Sequence, residues 1–119
     1  MGVSIMGLAD IHIHTIYSYD ATTTVRGILK QASSVGFNVI AITDHDDIRG
    51  AFDARELGSQ YNIEVIPGVE VTTKDGHLLA LFVEKIPWSG MPLEDTLKAI
   101  GDLGGLPLHR IPSTNCPAA

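Results

Sequence analysis

The chain has 119 residues, 45% of them apolar, enough for the core of one domain and no more. A net charge of −6 argues against a general nucleic-acid-binding face, which needs a basic surface to displace counterions, and leaves room for a local basic patch and for phosphate chemistry. One cysteine, Cys116, permits no internal disulfide, and the start MGVSIMGLAD has neither the basic residues nor the apolar run of a signal peptide or membrane span, so a cytoplasmic setting is expected.

GLADIHIH predicts a strand with Asp10, His12 and His14 on one face and Ile11 and Ile13 on the other. The polar turn SYDATTT leads into TVRGILKQASSVG, where Val25, Ile28, Leu29 and Ala32 fall at helical spacing before Gly36. FNVIAIT is an unbroken apolar run of strand length, the pattern of a strand covered on both faces. DIRGAFDARELGSQYN reads as a second helix, and IEVIPGVEVTT as one strand or as two split at Pro67-Gly68. A turn at Lys74-Asp75-Gly76 precedes HLLALFVEKI, another strand. PLEDTLKAIGDLG, opening on Pro92 with Glu94 and Asp95, is a well-marked helix. The order βαβαββα points to an α/β fold with a mainly parallel sheet or barrel. LPLHRIPSTNCPAA breaks it: three prolines without periodicity cannot make a good helix or a central strand.

Histidines at i and i+2 on a strand share a face, so His12 and His14 can reach one ion, although the same spacing also suits two partly exposed strand residues. Other candidates fall at strand ends or turns: Asp44 and His45 after the apolar run, Glu70 beside Gly68, His77 opening a strand and Asp20 past the first one. In parallel α/β architectures such ends converge on one crevice. Each residue has a plainer role open to it. Asp10 either bonds a turn or accepts from a ligand histidine's N–H, and Asp44 is a candidate for that same supporting role. Asp20 either serves the turn or ligates a metal, and His77 is either a ligand or a surface residue. Asp46 and Asp47 read as caps of the helix that follows.

Taken together, Asp10-Ile-His12-Ile-His14-Thr15 with Ser18 and Asp20, Ile42-Thr43-Asp44-His45, Pro67-Gly68-Val69-Glu70, and His77 before an apolar strand resemble the polymerase-and-histidinol-phosphatase (PHP) family. The resemblance runs from about Leu8 to Leu106 and implies the N-terminal part of a PHP domain in residues 1–106. It implies part of a distorted, seven-stranded β/α barrel, with two or three divalent ions (zinc, manganese or iron) in a cleft. The implied activity is metal-dependent hydrolysis of a phosphate mono- or diester, in a phosphorylated small molecule, nucleotide or oligonucleotide, with water as nucleophile. His12 and His14 match ligands of one metal, Glu70 a bridge to a second that His77 also matches, and Asp20 and His45 ligands of a third. Adjacent ions would also let an acidic protein bind an anion.

Residues 107–119 depart from this pattern. The resemblance requires a Pro-His-Pro-type motif after the pair Gly104-Gly105 and a later Asp-x-His; His109 lies too near the pair, and no Asp-x-His follows it. Truncation, a shifted reading frame from about Pro107, and a half-barrel completed by a partner chain all accord with that tail. A non-catalytic metal-binding or interaction module is therefore the alternative function. Open strand edges also lead to the expectation of a homo-oligomer covering them.

Overall fold

The computed structural model describes residues 8–17 and 23–111, with side chains described at 10–17 and 23–108. Asp20, Cys116 and the side chain of His109 lie outside the described residues. Strand β1 (Leu8–Ile13) leads to helix α1 (Val25–Val35), β2 (Phe37–Ile42), α2 (Arg49–Leu57) with a 3-10 turn (Gly58–Tyr61), β3 (Glu64–Thr73), β4 (Gly76–Leu81), α3 (Leu93–Asp102) and β5 (Leu106–Ile111). The strands form one sheet in the order β1-β2-β3-β4-β5.

Local chemistry accounts for most boundaries. The Thr24 hydroxyl accepts the Gly27 N–H to cap α1, and Gly36 ends that helix in the left-handed region at φ 106°. Val25, Ile28, Leu29 and Ala32 are buried as their spacing predicts. They pack with Ile40 and Ile42 of β2, Ala51 and Ala54 of α2, Ile63 just before β3 and Val65 within it. A second cluster joins Val69 and Val71 of β3, Leu78 and Ala80 of β4, and Val83 to Ile100 of α3. Ile13 packs against the first cluster, so the helix-facing side of β1 is its isoleucine side.

The expectation of a mainly parallel sheet is corrected: the sheet is mixed. β1, β2 and β3 pair in parallel, while β3–β4 and β4–β5 pair antiparallel. Only Lys74 and Asp75 separate the paired residues Thr73 and Gly76, and a two-residue link can join antiparallel strands only. β3 is one strand through Pro67-Gly68. β4 ends at Leu81 instead of running to Ile86, because Phe82 turns the backbone to φ 60°. The start of the proline-rich tail forms β5, which pairs with β4 alone, and an edge strand tolerates proline. Five strands are present among the described residues, with β1 and β5 each paired on one side, so the sheet is not closed. Among the described residues no helix is long and apolar enough to cross a membrane.

Candidate metal centre

The centre lies where β1 and β2 end beside the middle of β3. The Glu70 N–H donates to the Asp44 carbonyl at 2.8 Å and the Asp46 N–H to the Glu70 carbonyl at 3.0 Å, which clamps His45 opposite Glu70. At the end of β1, the fully buried Asp44 carboxylate accepts the Thr15 N–H, and accepts the Thr15 hydroxyl at 2.6 Å. Asp44 thus fixes the residue after His14. The Asp10 carboxylate accepts the backbone N–H of His12 at 3.1 Å, so among the described contacts it steadies the strand rather than an imidazole N–H.

Glu70 is 2% exposed, in a run of apolar neighbours. Its Oε1 meets the Nε2 atoms of His12 at 2.7 Å and His14 at 2.8 Å. Its Oε2 lies 3.0 Å from Nδ1 of His77 and 3.8 Å from Nδ1 of His45. One carboxylate therefore faces a pair of imidazoles with each oxygen. The rings continue around it, with centroid separations of 5.0 Å for His12–His14, 4.4 Å for His14–His45 and 5.1 Å for His45–His77. Burial pushes the Glu70 carboxyl up, but hydrogen bonds from His12 and His14 and positive charge at His45 and His12 outweigh it, holding the group well below the usual carboxylate range.

Two sets of donor atoms, His12–His14–Glu70 and His45–Glu70–His77, each lie within 4.8 Å of one another. Imidazole nitrogens with a carboxylate are the donors zinc, manganese and iron take, so the residues present fit such ions. The sequence-based candidates His12, His14, His45, Glu70 and His77 thus converge. His45 falls in the set with His77; its expected association with Asp20 lies outside the described residues.

Sequence reasoning assigned Asp46 and Asp47 to helix capping. Asp47 accepts the Arg49 N–H at 2.9 Å from one residue before the N-cap of α2, which is Ile48 and carries no side-chain cap. Asp46 instead reaches across to β3, where it accepts the N–H and hydroxyl of Thr72. Thr15 and Thr72 were missed as supports of the centre. The available signal was their spacing, one residue after His14 and two after Glu70 on the same strand face.

A mixed α/β sheet presenting a carboxylate between histidine pairs offers the donor set of a metal centre. The chain belongs to the PHP domain family, whose match covers residues 10–91. It is 39% identical over 109 residues to an uncharacterized protein of Methanocaldococcus jannaschii, covering 82% of this chain and 63% of that one. It is 36% identical over 84 residues to the phosphoribosyl 1,2-cyclic phosphate 1,2-diphosphodiesterase of Eggerthella lenta, covering 66% of this chain and 32% of the enzyme. A crystal structure from Bifidobacterium adolescentis, described as a candidate metal-dependent phosphoesterase, superposes with a TM-score of 0.58 at 35% identity, covering 64% of this chain and 28% of that one. The chain therefore spans less than two thirds of the length of these relatives.

Proposed function

We propose that this chain carries the metal-holding part of a phosphoesterase that hydrolyses a phosphate mono- or diester with water as nucleophile. The carrying observation is Glu70, whose two oxygens each face a pair of histidine nitrogens. His12, His14 and Glu70 would hold one divalent ion, and Glu70, His77 and His45 a second, with Glu70 shared. Asp20 joins the proposal as a further ligand beside His45. The sheet would form part of a seven-stranded barrel, in a cytoplasmic protein.

Bound there, zinc, manganese or iron would supply an acidified water and positive charge facing the phosphate oxygens. The chain's own part is to fix and shield the ligands. Glu70 is buried and the His45 side chain is only 8% exposed, whereas 39% of the His12 side chain is exposed, so His12 stands at the entrance. Asp44 and Asp46 anchor the two backbone segments that carry His14 and His45. The membership in the PHP family and the diphosphodiesterase named among its relatives support a phosphate ester as substrate.

The test is metal analysis of the purified chain with hydrolysis of p-nitrophenyl phosphate and bis-p-nitrophenyl phosphate, with and without added manganese or zinc. Metal-dependent release of p-nitrophenol, lost in His12→Ala and Glu70→Gln, is expected. Stoichiometric metal without turnover would instead identify a non-catalytic metal-binding module.

A further inference from the structure

Glu70 divides the centre into two ligand sets that differ in spacing, anchorage and access. Its Oε2 lies 3.0 Å from Nδ1 of His77 and 3.8 Å from Nδ1 of His45, while its Oε1 lies 2.7 Å from Nε2 of His12 and 2.8 Å from Nε2 of His14. A tetrahedral ion bonded at about 2.0–2.2 Å holds neighbouring nitrogen and oxygen donors about 3.4 Å apart. The inner set, His45–Glu70–His77, brackets that spacing. The outer set, His12–His14–Glu70, is closed on two direct hydrogen bonds, so both rings must draw back by about 0.6 Å to admit an ion.

Anchorage follows the same division. His45 is held on both flanks, by the Glu70 N–H on the Asp44 carbonyl and the Asp46 N–H on the Glu70 carbonyl. Asp46 is bonded to Thr72, which pairs with His77 across the hairpin. The inner ligands therefore share one connected frame, and β3 and β4 are each paired on both sides. His12 and His14 both come from β1, which pairs with β2 alone and whose register shifts between Asp10 and Ile13. The Asp44–Thr15 contact steadies the His14 end of that segment, but a strand paired on one side opens more readily than one paired on two. Access points the same way. The His45 and His77 side chains are 8% and 12% exposed, against 39% for His12 and 18% for His14. The shell around a site controls solvent access to it, so the outer set exchanges with the surroundings more freely.

We propose that the centre loads in order and is regulated through its outer set: His45, Glu70 and His77 take a first divalent ion and retain it, whereas His12 and His14, sharing Glu70, take a second that exchanges. The proposal rests on the phosphoesterase reading above and adds its regulation, by the free concentration of divalent metal. The pre-spaced, shielded set fills at low metal, and the solvent-facing set that a phosphate meets first fills only when metal is plentiful.

The test uses the full chain, freed of metal with chelator and checked for fold by circular dichroism. Zinc should bind calorimetrically in steps separated by about tenfold or more in affinity. In proton–nitrogen spectra of the imidazoles, the His45 and His77 signals should move at the first equivalent and those of His12 and His14 at the second. In excess chelator, the loaded protein should release one zinc at least about tenfold more slowly than the other. His12→Ala should lose the fast ion alone and His77→Ala the slow one; if His77→Ala does not fold, the imidazole spectra of the unaltered chain decide the assignment. Release in a single phase, movement of all four rings together, or loss of the slow ion in His12→Ala overturns the order. Hydrolysis of p-nitrophenyl phosphate should appear only with the second equivalent, and full turnover at the first overturns the regulatory role of the outer set. Ordered loading without turnover at either occupancy supports the order and overturns the phosphoesterase reading. Turnover with single-phase loading overturns the order and leaves that reading standing.

Discussion

Asp46 and Thr72 are joined at two points, the carboxylate accepting the Thr72 N–H at 3.1 Å and its hydroxyl at 2.6 Å. Asp46 holds φ at 46°, a left-handed conformation that aspartate tolerates better than most residues, and its own N–H donates to the Glu70 carbonyl. The neighbouring His45 is therefore held from both sides. Asp46→Ala leaves two partly buried Thr72 donors without this acceptor and frees the His45 segment. The expected cost is about 1–2 kcal/mol in chemical denaturation. Binding of one of the two ions should weaken by about 10–100-fold in calorimetric titration, the usual effect of losing a ligand's support. Thr72→Val keeps the N–H contact and should lose less of each. A folded Asp46→Ala chain that binds zinc as the parent does would remove the supporting role.

Glu70 is expected to contribute to the acid limit of the metal-free protein. Its carboxyl is held below its ordinary value of 4.5, burial opposing and the hydrogen bonds from His12 and His14 prevailing. A carboxyl lowered in the folded state contributes stability that is present above 4.5 and is lost as pH falls through the folded-state value. Urea midpoints of chelator-treated protein should therefore decline below about pH 4.5. Glu70→Gln removes that contribution, so its midpoint should fall less over the same window. Parallel declines for the two proteins would show that other carboxyls govern the acid limb.

The ligand face of β1 was legible because strand alternation is local: His12 and His14 face Glu70, while Ile13 faces the helices. Glu70 stood out as a lone acid in an apolar run, and its neighbours at 12, 14, 45 and 77 were identifiable once the strand ends were taken to converge. Asp46 was not legible as a support. An acid just before a helix reads as a cap, and its partner lies 26 residues away on β3. The end of β4 was hidden for another reason: HLLALFV is apolar throughout, and nothing local marks Phe82 as the left-handed residue. The mixed sheet was foreshadowed by the short Lys74-Asp75-Gly76 turn, whose length alone forbids a parallel β3–β4 pair. Which strand lies at an edge is a tertiary property, so the proline content of LPLHRI could not announce β5.

Two helical glycines should respond to alanine with opposite signs. Gly50, in the first turn of α2, lies against the Asp44–Thr15 pair, and a Cβ there would collide with both side-chain oxygens. Alanine's helix preference favours it by about 1 kcal/mol, yet the overlap forces apart the contact that anchors the end of β1. Gly50→Ala should lose about 1–3 kcal/mol and lower metal affinity with it. Gly101, in α3, has open space where a Cβ would stand, and Gly101→Ala should gain up to about 1 kcal/mol. Thermal melts of the two variants, with and without manganese, separate these outcomes. A Gly50→Ala chain as stable as Gly101→Ala would mean that the Asp44–Thr15 contact yields at no cost.

Tyr17, just past β1, offers a spectroscopic check on the seating of α2. Its hydroxyl donates to Asp53 Oδ2 at 2.9 Å, and the Arg49 guanidinium lies 4.4 Å from its ring centre. The hydrogen bond to Asp53 raises the phenol above its ordinary 10.0, the Asp53 charge and desolvation add to this, and Arg49 opposes it. A phenol raised in the folded state contributes stability that is present below 10.0 and is lost as pH rises through the folded-state value. In ultraviolet titration of phenolate, Tyr17→Phe should remove a phase that ionises above 10.0. Asp53→Asn should move that phase to lower pH and Arg49→Ala to higher pH. The opposite signs are the discriminating feature, because a general loosening of the helix would bring Tyr17 toward its ordinary value in both variants. A late phase that persists in Tyr17→Phe would place the raised phenol elsewhere in the chain.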